Sequence, residues 1–309
     1  RCKNERIRYD RNTNHCTLEN LPYSKTDLRE MQVKFATFRS HTQTHYGAVT
    51  DDGIIALDDI FPQWPTLFDV VKGSGLNALT EAAYQTNVTH KKYQYEMVLP
   101  NARRILCVGV NFPDRNAEYM DSSAQPKYMS LFARFPSSFT GHDRPLIRPA
   151  ESYTLDYEGE VAVVIGKAGR RITPENAYDH ISAITICNEG TIREWVRHAK
   201  FNVTQGKNWD RSGSLGPWLV PFKDPSQLDE ARIITRVNGE VRQQDSLNRM
   251  VFPVRHIIAY ISTFMGLECG DIIITGTPTG AGARFDPPKY LNPGDEVEVE
   301  VNGKMQHLR

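Results

Sequence analysis

Residues 155–166 read LDYEGEVAVVIG, so that three acidic residues directly precede an apolar run. Its second half, residues 161–166, is a continuous apolar run that predicts a strand buried in a sheet. If the strand begins by Asp156, the period of two puts Asp156, Glu158 and Glu160 on one face. Carboxylates in one row repel each other, so beside a buried strand they need a cation or basic side chains to neutralise them. The alternative is an exposed strand edge whose acidic side chains face water.

A second acidic strand end lies further along the chain. Residues 185–187 (TIC) form a short apolar run that ends in Asn188-Glu189, which places another carboxylate at the mouth of a strand. Two such ends predict a shared cation. Oxygen ligands suit Mg²⁺, Mn²⁺ or Ca²⁺, whereas the sequence offers no His and Cys spacing typical of a Zn²⁺ site. Alternatively, Glu189 caps a helix in the segment IREWVRHAK, residues 192–200.

The rest of the chain is rich in strand patterns. Apolar runs are separated by Gly, Pro, Asn and Asp, as in SAITIC, GPWLV, RIITRVNGEV, DIIITG and DEVEVEVNGK. In this half, helical spacing appears in ENAYDHISA, after Thr173-Pro174, and in VRHIIAYISTFMG, from Val254. Strands and helices do not alternate regularly, and no GxGxxG or GxxxxGK[ST] motif occurs. The pattern predicts a β-dominated α+β protein and disfavours a dinucleotide-binding or P-loop fold.

The first third of the chain predicts a separate small domain. Residues 1–30 show no strand or helix pattern and are interpreted as an extension or a disordered tail. Residues 33–57 alternate apolar and polar around Asp51-Asp52-Gly53, a hairpin turn signal, and residues 66–86 contain two short helical patterns separated by glycines. We therefore expect a small α+β domain over residues 31–100 and a larger catalytic domain over residues 101–309.

Composition excludes several classes of function. The 309 residues carry 37 Lys and Arg against 37 Asp and Glu, a net charge of zero that gives no electrostatic footprint for nucleic acid. No apolar run approaches the roughly 18 residues that cross a bilayer, and the first residues lack the apolar segment of a signal peptide. Five cysteines without a CxxC pair are not a disulfide framework. We therefore expect a cytoplasmic protein without a nucleic-acid or membrane partner.

Two further segments carry groups suited to an anionic substrate. Lys207, in QGKNWD, lies beside a glycine and, near a metal, would pair with a substrate carboxylate or stabilise an enolate oxygen. The segment TGTPTG, residues 275–280, follows the apolar run DIII, and its hydroxyls and backbone N–H groups can form an anion-binding nest. A solvated lysine and a simple turn are the alternatives.

In this order, these segments resemble the fumarylacetoacetate hydrolase family of divalent-metal enzymes. The resemblance spans residue 31 to about residue 303 and rests on RRILCVGVNF, LDYEGEVAVVIGK, CNEGTIREW, QGKNWD, GSLGPWLV, RVNGEVRQ, LECGDIIITGTPTG and LNPGDEVEVEVNG. It implies a mixed β-sandwich roll preceded by the small N-terminal domain, usually in a homodimer. It also implies Mg²⁺, or Mn²⁺ in its place, held by Glu158, Glu160 and Glu189, with Lys207 as the matching lysine and Thr277 as the matching substrate-side threonine.

Two departures from the family pattern concern the site. The later metal ligand is often Asp in an N-D motif, whereas Asn188-Glu189 supplies a longer carboxylate, so the cation would sit differently or be coordinated less tightly. Where many members read G-x-N-Y-x-x-H-x-x-E, residues 109–118 read GVNFPDRNAE, with Asn111 retained and Arg115 in place of the histidine. Arginine cannot act as a base near neutral pH, although it can clamp a carboxylate. A surface ion pair between Arg115 and Glu118 on a short helix is the alternative.

The site pattern suits a substrate whose two oxygens chelate one cation, such as a 2-oxo acid or its enol. One enolate-stabilising site serves C–C hydrolysis, decarboxylation or tautomerisation, and the base decides between them. Glu118 is the candidate base, Lys207 would stabilise negative charge, and Arg115 would orient a distal carboxylate, which favours dicarboxylic substrates. The other candidate substrate contacts are Asn111, Thr275, Gly276 and Thr277.

The resulting hypothesis is a Mg²⁺- or Mn²⁺-dependent enzyme that hydrolyses a C–C bond in a 2,4-dioxo or related 2-oxo acid. The alternatives are an isomerase of the 2-hydroxyhepta-2,4-diene-1,7-dioate or 5-carboxymethyl-2-hydroxymuconate type and an oxaloacetate-type decarboxylase. A rival from another class is a catalytically silent, metabolite-binding paralogue, which the missing histidine suggests. The presence of all three acidic ligands favours the enzyme.

Overall fold

The computed structural model describes residues 33–86, 89–114, 127–199 and 203–301, together with the backbone of three short strands outside these ranges. The strands are β1 (Tyr9–Asp10), β2 (His15–Cys16), β3 (Lys34–Ser40), β4 (Gln43–Thr50), β5 (Gly53–Ala56), β6 (Thr89–His90), β7 (Gln94–Tyr95), β8 (Ile105–Gly109), β9 (Ser130–Arg134), β10 (Phe139–Thr140), β11 (Leu155–Asp156), β12 (Gly159–Ile165), β13 (Ile181–Asn188), β14 (Thr191–Ile192), β15 (Gly213–Pro221), β16 (Arg232–Val237), β17 (Glu240–Ser246), β18 (Ile272–Ile274), β19 (Val297–Val301) and β20 (Gln306–Leu308).

Helices are short and few in the described chain. The α-helices are α1 (Leu67–Lys72), α2 (Leu76–Ala83), α3 (Thr204–Lys207), α4 (Ser226–Asp229) and α5 (Val254–Phe264). Turns of 3₁₀ helix lie at Pro136–Ser138, Ala177–His180, Glu194–Arg197, Leu247–Arg249 and Gly282–Arg284. Of the described helices, none combines the length and the apolar composition needed to span a membrane.

A mixed sheet of 12 strands forms the centre of the described structure. Its strands run in the order β6-β5-β4-β3-β15-β13-β12-β18-β8-β9, with β10 beside β15 and β7 beside β3. β8 is parallel to β18 and β10 is parallel to β15, whereas β12 is antiparallel to both of its neighbours. A second sheet, β17-β16-β19-β20, and the pair β11-β14 lie outside it. The prediction of a β-dominated α+β protein is therefore confirmed.

Strand β12 lies in the middle of the core, as its apolar run predicts. Every residue of β12 is buried. Ala162 and Val164 belong to one hydrophobic cluster with β3, β4, α1 and α2, whereas Val161, Val163 and Ile165 belong to a second cluster with β16 and α5. A strand that is covered on both faces shows a continuous apolar run, because both alternating sets of side chains are buried.

Several local predictions are confirmed. β4 and β5 form the expected hairpin, in which Thr50 pairs with Gly53. The two helical patterns that follow correspond to α1 and α2, and Thr66 begins α1 with a capping box that includes Asp69. The predicted apolar face of α5 is buried and consists of Val254, Ile257, Ile258 and Ile261.

The predictions of a helix in two segments are wrong. ENAYDHISA forms only the 3₁₀ turn Ala177–His180, and β13 begins directly at Ile181. The described part of IREWVRHAK contains the last residue of β14, Ile192, and the turn Glu194–Arg197, but no α-helix. Strand pairing overrides helical propensity in both places, because β13 pairs with β12 and β15 while β14 pairs with β11. Since β14 separates Glu189 from the second turn, Glu189 does not cap it.

The domain boundary near residue 100 stays a prediction. β3 joins the central sheet by pairing with β15 through Phe35 and Leu219, and one hydrophobic cluster includes residues from both sides of the boundary. Within residues 1–30, the described structure consists of the antiparallel pair β1-β2. The interpretation of residues 1–30 as an extension or tail otherwise lies outside the described residues.

Candidate metal centre

Three buried carboxylates meet beside the adjoining ends of β12 and β13. One oxygen from each of Glu158, Glu160 and Glu189 lies within 4.8 Å of the other two, and the three residues are 1–3% exposed. In the antiparallel pair, Gly159 lies opposite Asn188. The backbone N–H of Glu189 donates to the carbonyl of Glu158 at 2.7 Å. The start of one strand therefore lies beside the end of the other, so the two acidic strand ends converge.

The carboxylates fit a hard divalent cation. Burial, followed by the negative charges of Glu189 and Glu158, raises the pKa of Glu160 well above its usual value. Glu189 Oε1 is buried and has no hydrogen-bond partner among the described residues. At a metal–oxygen distance of about 2.1 Å, two ligands of one ion are at most about 4.2 Å apart, which lies inside the 4.8 Å limit that encloses one oxygen from each of the three residues. The residues present therefore suit Mg²⁺ or Mn²⁺.

Asp156 does not join this group, contrary to the expectation that it shares a face with the neighbouring glutamates. β11 ends at Asp156 and β12 begins only at Gly159, so the strand period is broken between them. The fully buried Asp156 carboxylate accepts hydrogen bonds from the backbone N–H groups of Gly282 and Ala283, at 2.7 and 2.9 Å. It also accepts one from Arg193 Nε at 2.7 Å. Asp156 therefore ties the turn at Gly282–Arg284 to the start of the segment that carries Glu158 and Glu160.

Three basic side chains surround the carboxylates. Lys207 Nζ lies 2.5 Å from Glu158 Oε2 and 3.1 Å from Glu189 Oε2. Arg193 donates from Nη2 to Glu158 Oε1 at 2.8 Å. Arg134 Nη1 lies 3.6 Å from Glu189 Oε1. These cations offset part of the repulsion between the candidate ligands.

Lys207 is buried and keeps its charge. Burial lowers the pKa of its ammonium group, but the charges of Glu158 and Glu189 raise it, and the resulting pKa lies above the usual lysine value. Lys207 lies at the end of α3, where Gly206 packs so closely that a Cβ added there would lie 2.3 Å from Cγ2 of Val196. Lys207 can therefore supply positive charge to an anionic substrate, but it does not accept a proton near neutral pH.

The loop after β18, residues 275–280, reaches the carboxylates through Gly276. The backbone N–H of Gly276 donates to Glu160 Oε2 at 2.5 Å. Gly276 has a φ of +107°, which glycine adopts readily. A Cβ at this position would also lie 2.6 Å from the Cβ of Asn111. Glycine is therefore required both by the backbone conformation and by the close approach of the next segment.

The hydroxyls of this loop face the strand backbone. Thr275 Oγ1 donates to the carbonyl of Val161 at 2.8 Å, and Thr277 Oγ1 donates to the carbonyl of Gly159 at 2.9 Å. Both hydroxyl hydrogens therefore hold the loop on β12. The contact of Thr275, Gly276 and Thr277 with a substrate stays a prediction.

Asn111 lies beneath the same loop with its side chain fully buried. Its Nδ2 donates to the carbonyls of Thr275 and Phe252 at 2.7 and 3.1 Å, and its Oδ1 accepts from the N–H of Phe252 at 2.8 Å. These bonds hold three chain segments together, and a direct contact of Asn111 with a substrate stays a prediction. Arg115 and Glu118 lie outside the described residues.

Sequence reasoning missed three residues that shape the site, namely Arg134, Arg193 and Gln243. Arg134 is 2% exposed at the end of β9 and donates to the carbonyl of Gly190 at 3.1 Å. A signal for it exists, because an arginine inside the apolar run of residues 131–135 (LFARF) needs a buried partner. No local pattern marks Gln243, whose side-chain partners lie 34 to 84 residues away along the chain.

Residues 104–308 match the protein family described as fumarylacetoacetate (FAA) hydrolase C-terminal. The chain belongs to the fumarylacetoacetate hydrolase family. The resemblance seen in the sequence is therefore confirmed.

Two relatives match nearly the whole chain. Oxaloacetate tautomerase YisK of Bacillus subtilis (strain 168) is 40% identical over 296 residues, which cover 87% of this chain and 97% of that one. The mitochondrial oxaloacetate tautomerase fahd2 of Xenopus laevis is 38% identical over 301 residues, which cover 93% and 92%. Among solved structures, fumarylacetoacetate hydrolase (EaFAH) from psychrophilic Exiguobacterium antarcticum is 31% identical with a TM-score of 0.76, over 89% of this chain and 97% of that one.

Gly159 lies between two of the candidate ligands and directly under the second sheet. A Cβ added there would lie 2.0 Å from Thr235 Oγ1 and 3.2 Å from Val299 Cγ1. We expect Gly159→Ala to lower the free energy of unfolding by about 1–3 kcal/mol, because overpacking pushes β12 away from β16. Denaturant unfolding measures the loss of stability, and calorimetric titration with Mn²⁺ measures the accompanying loss of metal affinity.

The double variant Gly159→Ala/Thr235→Ala is the matched control. Removing the Thr235 hydroxyl leaves the nearest atoms at 3.2 and 3.3 Å, which a small adjustment accommodates. In the Thr235→Ala background, Gly159→Ala should therefore lower the free energy of unfolding much less than it does in the wild-type protein. An equal cost in both backgrounds would show that the contact with Thr235 is not the reason for glycine.

Glu160→Gln should weaken Mn²⁺ binding by about tenfold or more, because it removes one of three anionic ligands while keeping the side-chain shape. Titration of the metal-free protein, followed by the signal of free Mn²⁺ in electron paramagnetic resonance, gives the dissociation constant. The control is Glu151→Gln at an exposed position, which should bind Mn²⁺ as the wild type does. Unchanged affinity in Glu160→Gln would remove this residue from the metal centre.

Proposed function

We propose that this protein is a divalent-metal-dependent tautomerase that interconverts the enol and keto forms of a 2-oxo dicarboxylic acid of the oxaloacetate type. The observation that carries the proposal is the buried group of Glu158, Glu160 and Glu189, whose oxygens lie within 4.8 Å of one another. Such a group suits a cation that chelates a 2-oxo acid. Similarity to two oxaloacetate tautomerases over almost the whole of both chains favours tautomerisation among the reactions that this kind of site serves.

The three glutamates would hold Mg²⁺ or Mn²⁺, which supplies the Lewis acidity that makes a 2-oxo group a better electron sink. In the reaction the enol loses its hydroxyl proton and gains a proton on the neighbouring carbon, so no atoms are gained or lost overall. Lys207 lies beside Glu158 and Glu189 with its charge intact. Its ammonium group would stabilise the negative charge that develops on the substrate oxygen.

Proton transfer at carbon also needs a general acid–base group, which gives a proton to carbon in the enol-to-keto direction and removes it in the reverse direction, and we assign that role to Glu118. Lys207 cannot take it, because its pKa is raised above the usual lysine value. Arg115 would orient the distal carboxylate of a dicarboxylic substrate. Both assignments rest on the sequence resemblance.

Hydrolysis of a C–C bond in a 2,4-dioxo acid is the second candidate. Similarity to the fumarylacetoacetate hydrolase of Exiguobacterium antarcticum favours it. Hydrolysis needs an activated water as well as a stabilised enolate, and Arg115 stands where many family members have a histidine. Tautomerisation only relocates a proton, so it does not require a residue that activates water. The homodimer and the cytoplasmic location stay predictions.

The deciding experiment follows three signals with metal-stripped protein supplied with Mg²⁺ or Mn²⁺. With enol oxaloacetate, a tautomerase accelerates the loss of enol absorbance without a change of mass, whereas a decarboxylase releases CO₂. With an acylpyruvate, a hydrolase produces two acids. We expect the enol absorbance to fall faster with protein than with the same metal alone. This acceleration should disappear with EDTA or in Glu158→Gln. Acid pairs or CO₂ formed faster than the absorbance change would replace the tautomerase proposal.

Lys207→Met should lower kcat/KM of the tautomerase by roughly 100-fold or more, because it removes a charge that faces the developing oxyanion. Mn²⁺ affinity should not fall, since the lost ammonium group competes with the metal for Glu158 and Glu189. The control Lys223→Met, at an exposed position, should keep the wild-type kcat/KM. A wild-type kcat/KM in folded Lys207→Met, with folding checked by thermal unfolding, would contradict the assigned role.

A further inference from the structure

We propose that Gln243 is a positioning residue, which holds the loop 275–280 on the metal-binding strand and directs the hydroxyl of Thr277 toward the strand backbone. The inference rests on the proposed metal centre, and it holds whichever reaction that centre serves. Gln243 lies on β17, in the second sheet, where it pairs with Thr235 of β16. It is 1% exposed, so its polar atoms are satisfied within the protein.

The side-chain amide of Gln243 joins two separate parts of the site. Its Oε1 accepts a hydrogen bond at 2.9 Å from the backbone N–H of Gly159, which lies between two of the candidate ligands. Its Nε2 donates to Thr277 Oγ1 at 2.8 Å and to the carbonyl of Pro278 at 2.9 Å. Glutamate would keep the acceptor and lose both donors, and methionine would lose all three bonds at a similar side-chain length. The arrangement therefore requires an amide.

Gln243 also decides the direction of the hydrogen bond that Thr277 donates. Because Nε2 of Gln243 donates to Thr277 Oγ1, the hydroxyl accepts on that side, and its own hydrogen goes to the carbonyl of Gly159 at 2.9 Å. Gly159 is thereby bound through its N–H to Gln243 and through its carbonyl to Thr277. The hydroxyl hydrogen of Thr277 is consequently committed to the strand backbone.

The same set of bonds extends to a metal ligand. Gly276, the residue before Thr277, donates its N–H to Glu160 Oε2 at 2.5 Å. The position of this N–H depends on the loop, and the loop is held by Gln243 at its next two residues. Loss of the amide therefore frees the loop to move relative to Glu160 while the strand pairing of β12 with β13 and β18 stays in place.

Hydrogen–deuterium exchange on the metal-free full chain tests this positioning without reference to activity. We expect Gln243→Met and Gln243→Glu each to raise the exchange rate of peptides covering residues 275–280 about tenfold or more, with exchange in β13 unchanged. Gln244→Met, at the exposed neighbouring position, should leave the loop as in the wild type. Wild-type exchange in the loop of either Gln243 variant would overturn the proposal. If Gln243→Met does not fold, Gln243→Glu, which keeps the bond to Gly159, decides alone.

A double-variant cycle with Thr277→Val tests the route through the hydroxyl. Each single variant should raise KM about tenfold with kcat within about threefold, and Gln243→Met/Thr277→Val should raise KM no further, because the two side chains act as one unit. A KM raised about 100-fold in the double variant would show that Gln243 and Thr277 act independently, which would contradict an effect of Gln243 through the Thr277 hydroxyl. If no turnover is found, the proposed function fails separately. The cycle is then measured as the dissociation constant of oxalate, a ligand with two chelating oxygens, on the Mn²⁺-loaded protein.

Discussion

The described site has to offset the repulsion among three buried carboxylates. At about 4 Å and an effective dielectric constant of about 20, two unit charges interact by about 4 kcal/mol. The pairing of β12 with β13 brings three such charges together where water does not screen them. Cationic side chains from three separate segments offset part of this repulsion, namely Arg134, Arg193 and Lys207. A divalent cation would supply the remaining positive charge.

Asp156 shows how the same region keeps a carboxylate out of the metal centre. Its oxygens accept hydrogen bonds from two backbone N–H groups of the turn at Gly282–Arg284 and from Arg193. Glu189, by contrast, has an oxygen that no hydrogen bond satisfies within the described chain. Asp156 is thus tied to the turn at Gly282–Arg284, whereas Glu189 keeps an oxygen that a metal can use.

Sequence reasoning succeeds where the outcome depends on a local period. The apolar run of β12, the acidic strand ends and the buried face of α5 can all be predicted, because sheets and helices bury side chains at periods of two and 3.6. It fails at Ala177–His180, where pairing across the sheet ends a helical pattern early. It also fails at Asp156, where the strand is broken between β11 and β12 and the carboxylate binds the turn at Gly282–Arg284.

The contacts of Arg134 and Gln243 could not be predicted, because they join segments that are distant along the chain and share no pattern. Gln243 meets Gly159 across 84 residues, and Arg134 meets Gly190 across 56 residues. The contact of Gln243 depends on how two sheets are placed against each other, and the contact of Arg134 depends on the strand order within the central sheet; only the folded chain determines either. The candidate ligands could be predicted, because Glu158 and Glu160 lie two residues apart and Glu189 directly follows β13, the strand paired with β12.

The glycine between the first two ligands gives the site an unusual kind of rigidity. Because Gly159 has no side chain, β16 rests directly on the backbone that carries Glu158 and Glu160. The contact between two sheets thus limits how far the backbone that carries these side chains can move. A descendant of this chain could exchange the surrounding segments while the backbone of the candidate ligands stayed in place.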